Sequence, residues 1–333
     1  MVFKCKSFPQ PLRWLAAALL ILVVLAGVAW AFGALYYDGP SRLLAAANAL
    51  GMLAVFGFVR PCRRKLAVFG IWFGVVLGWW LTLKPVADGK WQPDVARIPW
   101  AEIEGDEVTI HNVRNFDYRT ETDFTPRWET RKLRLSQLTG IDMFVNYWGS
   151  PWMAHPIVSF RFADSAPLCF SIETRKKEGQ SYSAIGGLYR QYNLTYIAAD
   201  ERDVVRVRTN YRKGEDAYLY RTTAGLAQTR ARFLEYIGSI NQLRDKPRWY
   251  NAVATNCTTG IRSQHPAAER APWDWRLLVN GKADELMYER KTIETGGLPF
   301  AHLKRRALIN SAAQAANHAA DFSARIREGL PGM

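Results

Sequence analysis

"HPIVSFRFADSAPLCFSIET", residues 155–174, is the stretch from which the fold can be read outward. Val158, Phe160 and Phe162 alternate with Ser159 and Arg161, the two-residue period of a strand that buries one face. "ADSAP" (163–167) is built from turn formers and "LCFSIET" (168–174) resumes strand composition, so the whole stretch reads as an antiparallel hairpin. Pro156 forces His155 into an extended backbone, and the alternation puts that histidine on the polar face with Ser159 and Arg161. On the returning strand, Glu173 shares a face with Cys169 and Ser171. If the register pairs residues of equal parity, for example Ser159 with Ser171, Glu173 and His155 are near-diagonal neighbours. A one-residue slip would remove Glu173 and offer Thr174 instead.

Around this hairpin lie further strand candidates: "EVTIHNVRNFDYR" (107–119), "IDMFVNYWG" (141–149), "VVRVRTNY" (204–211) and "AYLYRT" (217–222). "GLAQTRARFLEYIGSINQL" (225–243) spaces Leu226, Arg230, Phe233, Ile237 and Ile240 as a helix does, with one apolar face for the sheet. A mostly antiparallel sheet with helices is the α+β class. The alanine-rich segment 298–330 favours helix but has a poor apolar stripe, which fits a surface helix or one lying against a membrane.

The first 85 residues are of another kind. Three apolar runs, residues 15–36, 43–59 and 66–83, predict three transmembrane helices. Lys4, Lys6 and Arg13 precede the first run, and Arg60, Arg63, Arg64 and Lys65 separate the second from the third. Both clusters belong on the cytoplasmic side, so everything after about Lys84 is expected outside it. The second run is short and contains Asn48, which leaves a single anchor with a re-entrant hairpin as the alternative. The expected organisation is a membrane domain (1–84), a proline-containing linker (85–101), an extracytoplasmic domain (102–284) and a C-terminal helical extension (285–333). The formal charge of +14 over 333 residues suits an anionic membrane or cell-wall surface, while extracytoplasmic placement disfavours nucleic acid. No phosphate loop or metal-ligand spacing is present, so neither a cofactor nor a metal is expected.

Only Cys169 and Cys257 lie in the extracytoplasmic part, where they could form one disulfide or leave a thiol with a chemical use. Cys257 sits in "YNAVATNCTTGIR" (250–262). Asn256 is a favoured helix N-cap, which would put Cys257 at the first helical position, where unpaired amides favour a thiolate. Against this stands ordinary core packing of a small apolar residue. A cysteine nucleophile needs a base, usually histidine, oriented by a third polar group. His111, His265, His302 and His318 have simpler surface or loop readings, whereas His155 on the polar face of its strand can point into a cleft. The catalytic candidates are therefore Cys257, His155 and Glu173. Asn256, Thr258, Ser159, Trp148 and Trp152 are candidates to contact substrate, the tryptophans as walls of an acyl groove or as core filling.

"YWGSPWMAHPIVSF", "FSIETRKKEG", "YIAADERDVVRVRTNYR" and "WYNAVATNCTTGIR" together resemble the Lnb-type periplasmic domain, over roughly residues 100–280. The resemblance implies a circularly permuted papain-like (NlpC-like) fold, with the histidine strand ahead of the cysteine helix in sequence. It implies a bacterial inner-membrane protein with a periplasmic catalytic domain. It also implies a cysteine-dependent acyltransferase working through a thioester on membrane lipid or lipoprotein. Related permuted folds include lecithin:retinol acyltransferase-like enzymes and cell-wall amidases, so a Cys/His hydrolase of the envelope is the second expectation. A disulfide-stapled, non-enzymatic envelope module is the third.

Overall fold

The computed structural model describes residues 9–253, 257–263, 272–277 and 280–333. They form two compact units, one made of the chain up to Pro85 together with Ser183–Gln191, the other of Val86–Tyr182 and Tyr192–Met333.

The first unit contains α1 (Gln10–Asp38), α2 (Arg42–Phe58) and α3 (Cys62–Thr82), packed through Val24, Val28, Ala31, Met52 and Val76. Two stretches are long and apolar enough to cross a membrane, Gln10–Asp38 with mean hydropathy 2.7 and Arg63–Thr82 with 1.5. Two stretches thus meet the expectation of three spans in length and composition, and α2, with 17 residues, is a shorter apolar helix at the lower limit of a crossing. Asn48 does not expose its amide to the apolar surroundings of α2. Its Oδ1 accepts a 2.7 Å hydrogen bond from Trp72 Nε1 of α3, which satisfies the polar group inside the bundle.

The second unit is built on a sheet. Its strands are β1 (Trp100–Glu104), β2 (Glu107–Arg114), β5 (Trp128–Arg134), β6 (Leu138–Trp148), β7 (Ser150–Phe162), β8 (Leu168–Arg175), β9 (Asn193–Asp200) and β10 (Glu215–Arg221). A separate small ribbon pairs β3 (Asp117–Tyr118) with β4 (Phe124–Thr125). The spatial order is β1-β2-β9-β8-β7-β6-β10, with β5 also on β2, and every pairing is antiparallel except a single parallel bridge between β2 and β9. With its helices α4 (Glu201–Val204), α5 (Leu226–Asp245), α6 (Cys257–Ser263), α7 (Ala283–Glu289), α8 (Phe300–Ala307), α9 (Asn310–Ala315) and α10 (Phe322–Arg325), the unit is a mixed α+β structure. One face of the sheet buries Val158, Phe160, Phe170 and Ile172 against Phe233, Tyr236, Ile237 and Ile240 of α5. Leu226, counted in the predicted apolar stripe of that helix, is exposed at its start. The other face buries Phe144, Ile157, Cys169 and Ile197 beneath Ile309, Ala313, Phe322 and Ile326.

The second cover is the alanine-rich C-terminal segment. It is broken into α8, α9 and α10, so its apolar residues never line up in one 3.6-residue stripe, which is why the pattern looked poor. At the β10 edge, Ile309 N–H donates to Ala217 O (2.9 Å) and Asn310 bonds the backbone of Ala217 and Glu215, closing off strand groups that would otherwise be open.

The region expected as a linker is folded onto this unit from Trp91 onward. Gln92 N–H donates to Lys176 O, Val95 is buried, and the Arg175 guanidinium lies 4.3 Å over the Trp91 ring. The predicted strand 204–211 is instead helical, consisting of α4 and a π-type turn at Val207–Tyr211. Asp200 caps this segment by accepting from Arg202 N–H, and Glu201 and Asp203 occupy its first turn, a start signal that outweighs the alternation of valine and arginine. The alternation deceives because Arg206 and Arg208 are themselves buried, each by bonding within the fold.

Candidate functional site

The hairpin register is Ile157 opposite Ser171 and Ser159 opposite Cys169, two residues away from the expected Ser159–Ser171 pairing. A two-residue shift leaves every side chain on its predicted face. It also brings Glu173 level with His155. The β7–β8 ladder ends at Ile157–Ser171, yet β7 stays paired with β6 through Asn146–His155 and Tyr147–Ala154, and β8 with β9 as far as Arg175–Asn193. Two central strands therefore part at one end of the sheet, and His155 and Glu173 face each other across the opening.

His155 Nε2 lies 3.0 Å from Glu173 Oε1 and 2.7 Å from Ser171 Oγ. Ser171 donates its one hydroxyl proton to Glu173 Oε1 (2.7 Å), so toward His155 it can only accept. Nε2 of His155 therefore carries a proton directed at Ser171 and Glu173. Asn146 Nδ2 holds the His155 carbonyl at 2.9 Å. Arg208 Nη2 donates to Glu173 Oε1 (3.2 Å) while its Nη1 reaches Glu215 Oε2 (3.1 Å). Burial would push the Glu173 carboxyl up, but the charge and hydrogen bond of His155, the charge of Arg208 and the Ser171 hydroxyl outweigh it and hold the group well below the ordinary carboxylate range. Glu173 is thus a carboxylate at neutral pH. The imidazole is 9 % exposed and the carboxylate side chain 24 %, so the pair is reached from the Glu173 side.

The helix that begins with Cys257 packs against β7 and β8. A Cβ at Gly260 would come within 2.7 Å of Ile172 Cδ1, so this glycine is what lets α6 lie so close to β8. Thr258 is buried and donates to Asn280 Oδ1 (2.7 Å). The next residue, Gly281, lies directly on the start of β7, where a Cβ would meet Pro151 O at 2.4 Å. Asp284 fixes this 280–284 segment. It accepts from Tyr147 (2.7 Å) and Tyr220 (3.1 Å) and pairs with Lys304 (2.8 Å). The start of α6, residues 280–284 and the start of β7 are therefore one locality. Asn256 and the side chain of Cys257 lie outside the described residues, as does His265.

Of the remaining candidates, Trp148 and Trp152 stand near the start of β7. Trp152 is 53 % exposed, with the Lys282 ammonium 5.3 Å from its ring. Ser159 is not brought to this group. It is fully buried and donates to Glu201 Oε1 (2.6 Å) beneath the C-terminal cover. Cys169 is a free, fully buried thiol, pushed up by burial and then by the charge of Glu201. The expected alternative of a Cys169–Cys257 disulfide is corrected by this. Cys169 points into the apolar core beneath the C-terminal cover and is neither half of a staple nor a nucleophile. His111 stacks on Trp100 at 3.9 Å and approaches Glu102, a structural setting.

Sequence reasoning missed Arg208, Ser171 and Asn146 as members of the site. Arg208 was hidden in the false strand, and only the Asp200 cap could have moved it onto a helix. A separate cleft of about 610 Å³ is bounded by Asp117, Arg127, Asp200, Arg202, Arg206 and Asp321, and none of the described candidate residues lines it.

Residues 124–281 match the family model of the Lnb N-terminal periplasmic domain, just under half of the chain and inclusive of His155, Glu173 and Cys257. The resemblance stated from the sequence therefore holds over that stretch. With the two apolar N-terminal helices, it describes a membrane-associated envelope protein with a periplasmic domain. No curated protein and no solved structure matches the chain.

Proposed function

We propose that this Lnb-type domain is a cysteine-dependent acyltransferase, held by three membrane-spanning helices in the inner membrane with its catalytic domain in the periplasm. The Cys257 thiolate attacks the carbonyl carbon of a lipid ester. The departing alkoxide takes the proton held by His155, leaving an acyl thioester on Cys257. An acceptor amine or hydroxyl then loses its proton to His155 and attacks the thioester, which frees the thiol. Glu173 orients the imidazole through Nε2–H and stabilises its charged form, leaving Nδ1 to exchange the proton. The exposed face of Trp152 offers an apolar wall for the chain being moved.

The observation that supports this reading most is the hydrogen-bonded His155–Glu173 pair, placed where β7 and β8 part, on the two strands against which the helix that begins with Cys257 packs. A histidine with a committed carboxylate on one nitrogen is the arrangement a thiol nucleophile requires.

The test is intact-mass analysis of the purified protein after a thiol probe and, separately, after a membrane lipid extract, wild type against His155→Ala. A fast-reacting Cys257 that gains a hydroxylamine-sensitive acyl mass only with His155 present is the expected result. A reactive Cys257 that never acquires an acyl mass would move the assignment to a Cys/His hydrolase of the envelope. A Cys257 no more reactive than a peptide thiol would remove the enzymatic reading.

A further inference from the structure

The chain between β8 and β9 leaves the sheet unit. Residues Ser183–Gln191 belong to the compact unit of α1, α2 and α3. Tyr189 is buried in that unit and stacks on Tyr37, with ring centroids 5.1 Å apart. Its hydroxyl occupies the space beside Gly33 of α1, where a Cβ would lie only 1.9 Å away, so the absence of a side chain at Gly33 makes the slot. Asp38, the last residue of α1, accepts from Arg190 N–H (3.1 Å), Gln191 Nε2 (2.8 Å) and Trp80 Nε1 (2.8 Å). Gln191 also donates to Tyr37 O (2.7 Å). The Arg190 guanidinium lies 4.1 Å over Trp80 and donates to Leu81 O and Leu83 O.

Every one of these partners except Gly33 sits at the C-terminal ends of α1 and α3, on the side opposite Arg60, Arg63, Arg64 and Lys65. Tyr36, Tyr37, Trp79 and Trp80 make that level an aromatic band of the kind found where spans leave the hydrocarbon. The same short segment turns Ile185 and Leu188 outward, 60 % and 41 % exposed. Two large apolar side chains held at this level by a buried tyrosine and a hydrogen-bonded aspartate are unfavourable in water and favourable in the headgroup–acyl boundary.

We propose that residues 183–191 are an interfacial anchor, with Ile185 and Leu188 entering the bilayer at the level where α1 and α3 leave it, an inference that rests on reading those two helices as spans. The occupant is membrane lipid, because the segment is fixed to the ends of helices whose own outward faces are apolar.

The experiment uses the full chain in phosphatidylethanolamine–phosphatidylglycerol vesicles, with Cys5, Cys62 and Cys257 replaced by serine and buried Cys169 retained. An environment-sensitive fluorophore is attached at Ile185→Cys, at Leu22→Cys in α1 and at Thr122→Cys, an exposed loop position of the sheet unit. Nitroxide-labelled lipids are the quenchers. Quenching at Ile185, strongest for shallow nitroxides, with quenching at Leu22 and none at Thr122 is expected. Gly33→Val, which fills the tyrosine slot, is expected to cut quenching at Ile185 at least twofold and leave Leu22 unchanged. Quenching at Leu22 with Ile185 as unaffected as Thr122 would overturn the anchor alone. An Ile185 probe shielded from water yet untouched by lipid quenchers would point to a protein occupant and overturn it too. Loss of quenching at Leu22 would instead remove the spanning reading on which the anchor depends.

Discussion

Two polar groups occupy the same face of the same sheet, roughly 13 Å apart along β7 at about 3.3 Å per residue. One is His155, Ser171, Glu173 and Arg208. The other is Ser159, Glu201, Asp142 and Arg327, in which Arg327 bonds both oxygens of Glu201 (2.6 and 2.8 Å) and Asp142 Oδ2 (2.9 Å). Both join a strand residue of β7 to a carboxylate and an arginine. The first lies where β7 and β8 part and keeps a carboxylate partly exposed. The second lies where they are fully paired, with Asp142 and Glu201 at 0 % exposure under α10. Equivalent chemistry is thus left accessible or sealed in the core according to whether the sheet opens beside it.

That contrast can be broken most forcefully at Arg327. Arg327→Ala leaves the buried Glu201 without its cation while Asp142 keeps Arg161 and Arg221, which should cost about 3–5 kcal/mol. For a unit of this size that is a fall of roughly 10 °C in the unfolding midpoint of the detergent-solubilised protein. Alkylation of Cys257 below that midpoint should not change. Next in size is His155→Ala, expected to slow alkylation of Cys257 roughly 100-fold, about 2.7 kcal/mol, while moving the midpoint far less than Arg327→Ala. Equal midpoint losses in the two variants would erase the distinction between the groups.

Glu173→Gln should slow the same labelling about 10-fold. Its stability effect has a defined sign with pH. The folded carboxyl lies below its ordinary value of 4.5, so its contribution is complete above 4.5 and is lost as pH falls through the lowered folded value. The difference in stability between wild type and Glu173→Gln should stay constant from pH 7 to about 5 and shrink below that, as measured by denaturant titration. A difference that closes between pH 7 and 5 would mean that His155 and Arg208 do not hold the carboxyl down. Ser171→Ala removes one shared hydroxyl and should cost about 1 kcal/mol, with only a few-fold loss of labelling. Trp152→Ala should change stability by less than about 0.5 kcal/mol and be felt only in competition by acyl substrates, read as protection of Cys257 from alkylation.

Much of this was legible because period-two alternation is a local property. His155 and Glu173 could be put on one face from the hairpin alone, and equal parity survived the two-residue difference in register. The parting of β7 from β8 was not legible, since it is a matter of which backbone groups find partners and no side chain announces it. For the same reason Ser159 was grouped with His155. Face can be read from alternation, but position relative to an opening cannot. Arg208 was lost because valine–arginine alternation imitates a strand when the arginines are buried by distant carboxylates. The C-terminal cover was lost because three short helices divide among them an apolar surface that a single helix would show as a stripe.

The arginine that pairs with the buried Glu201 is made 126 residues after it. At about 5–20 residues per second, a ribosome needs roughly 6–25 s to supply it. During that interval the sheet's second face carries Glu201 without its cation and the apolar residues around it, with no cover yet synthesised. The sheet is therefore closed by a segment that emerges well after its strands, and the newborn domain must survive that wait unfolded or shielded by something else.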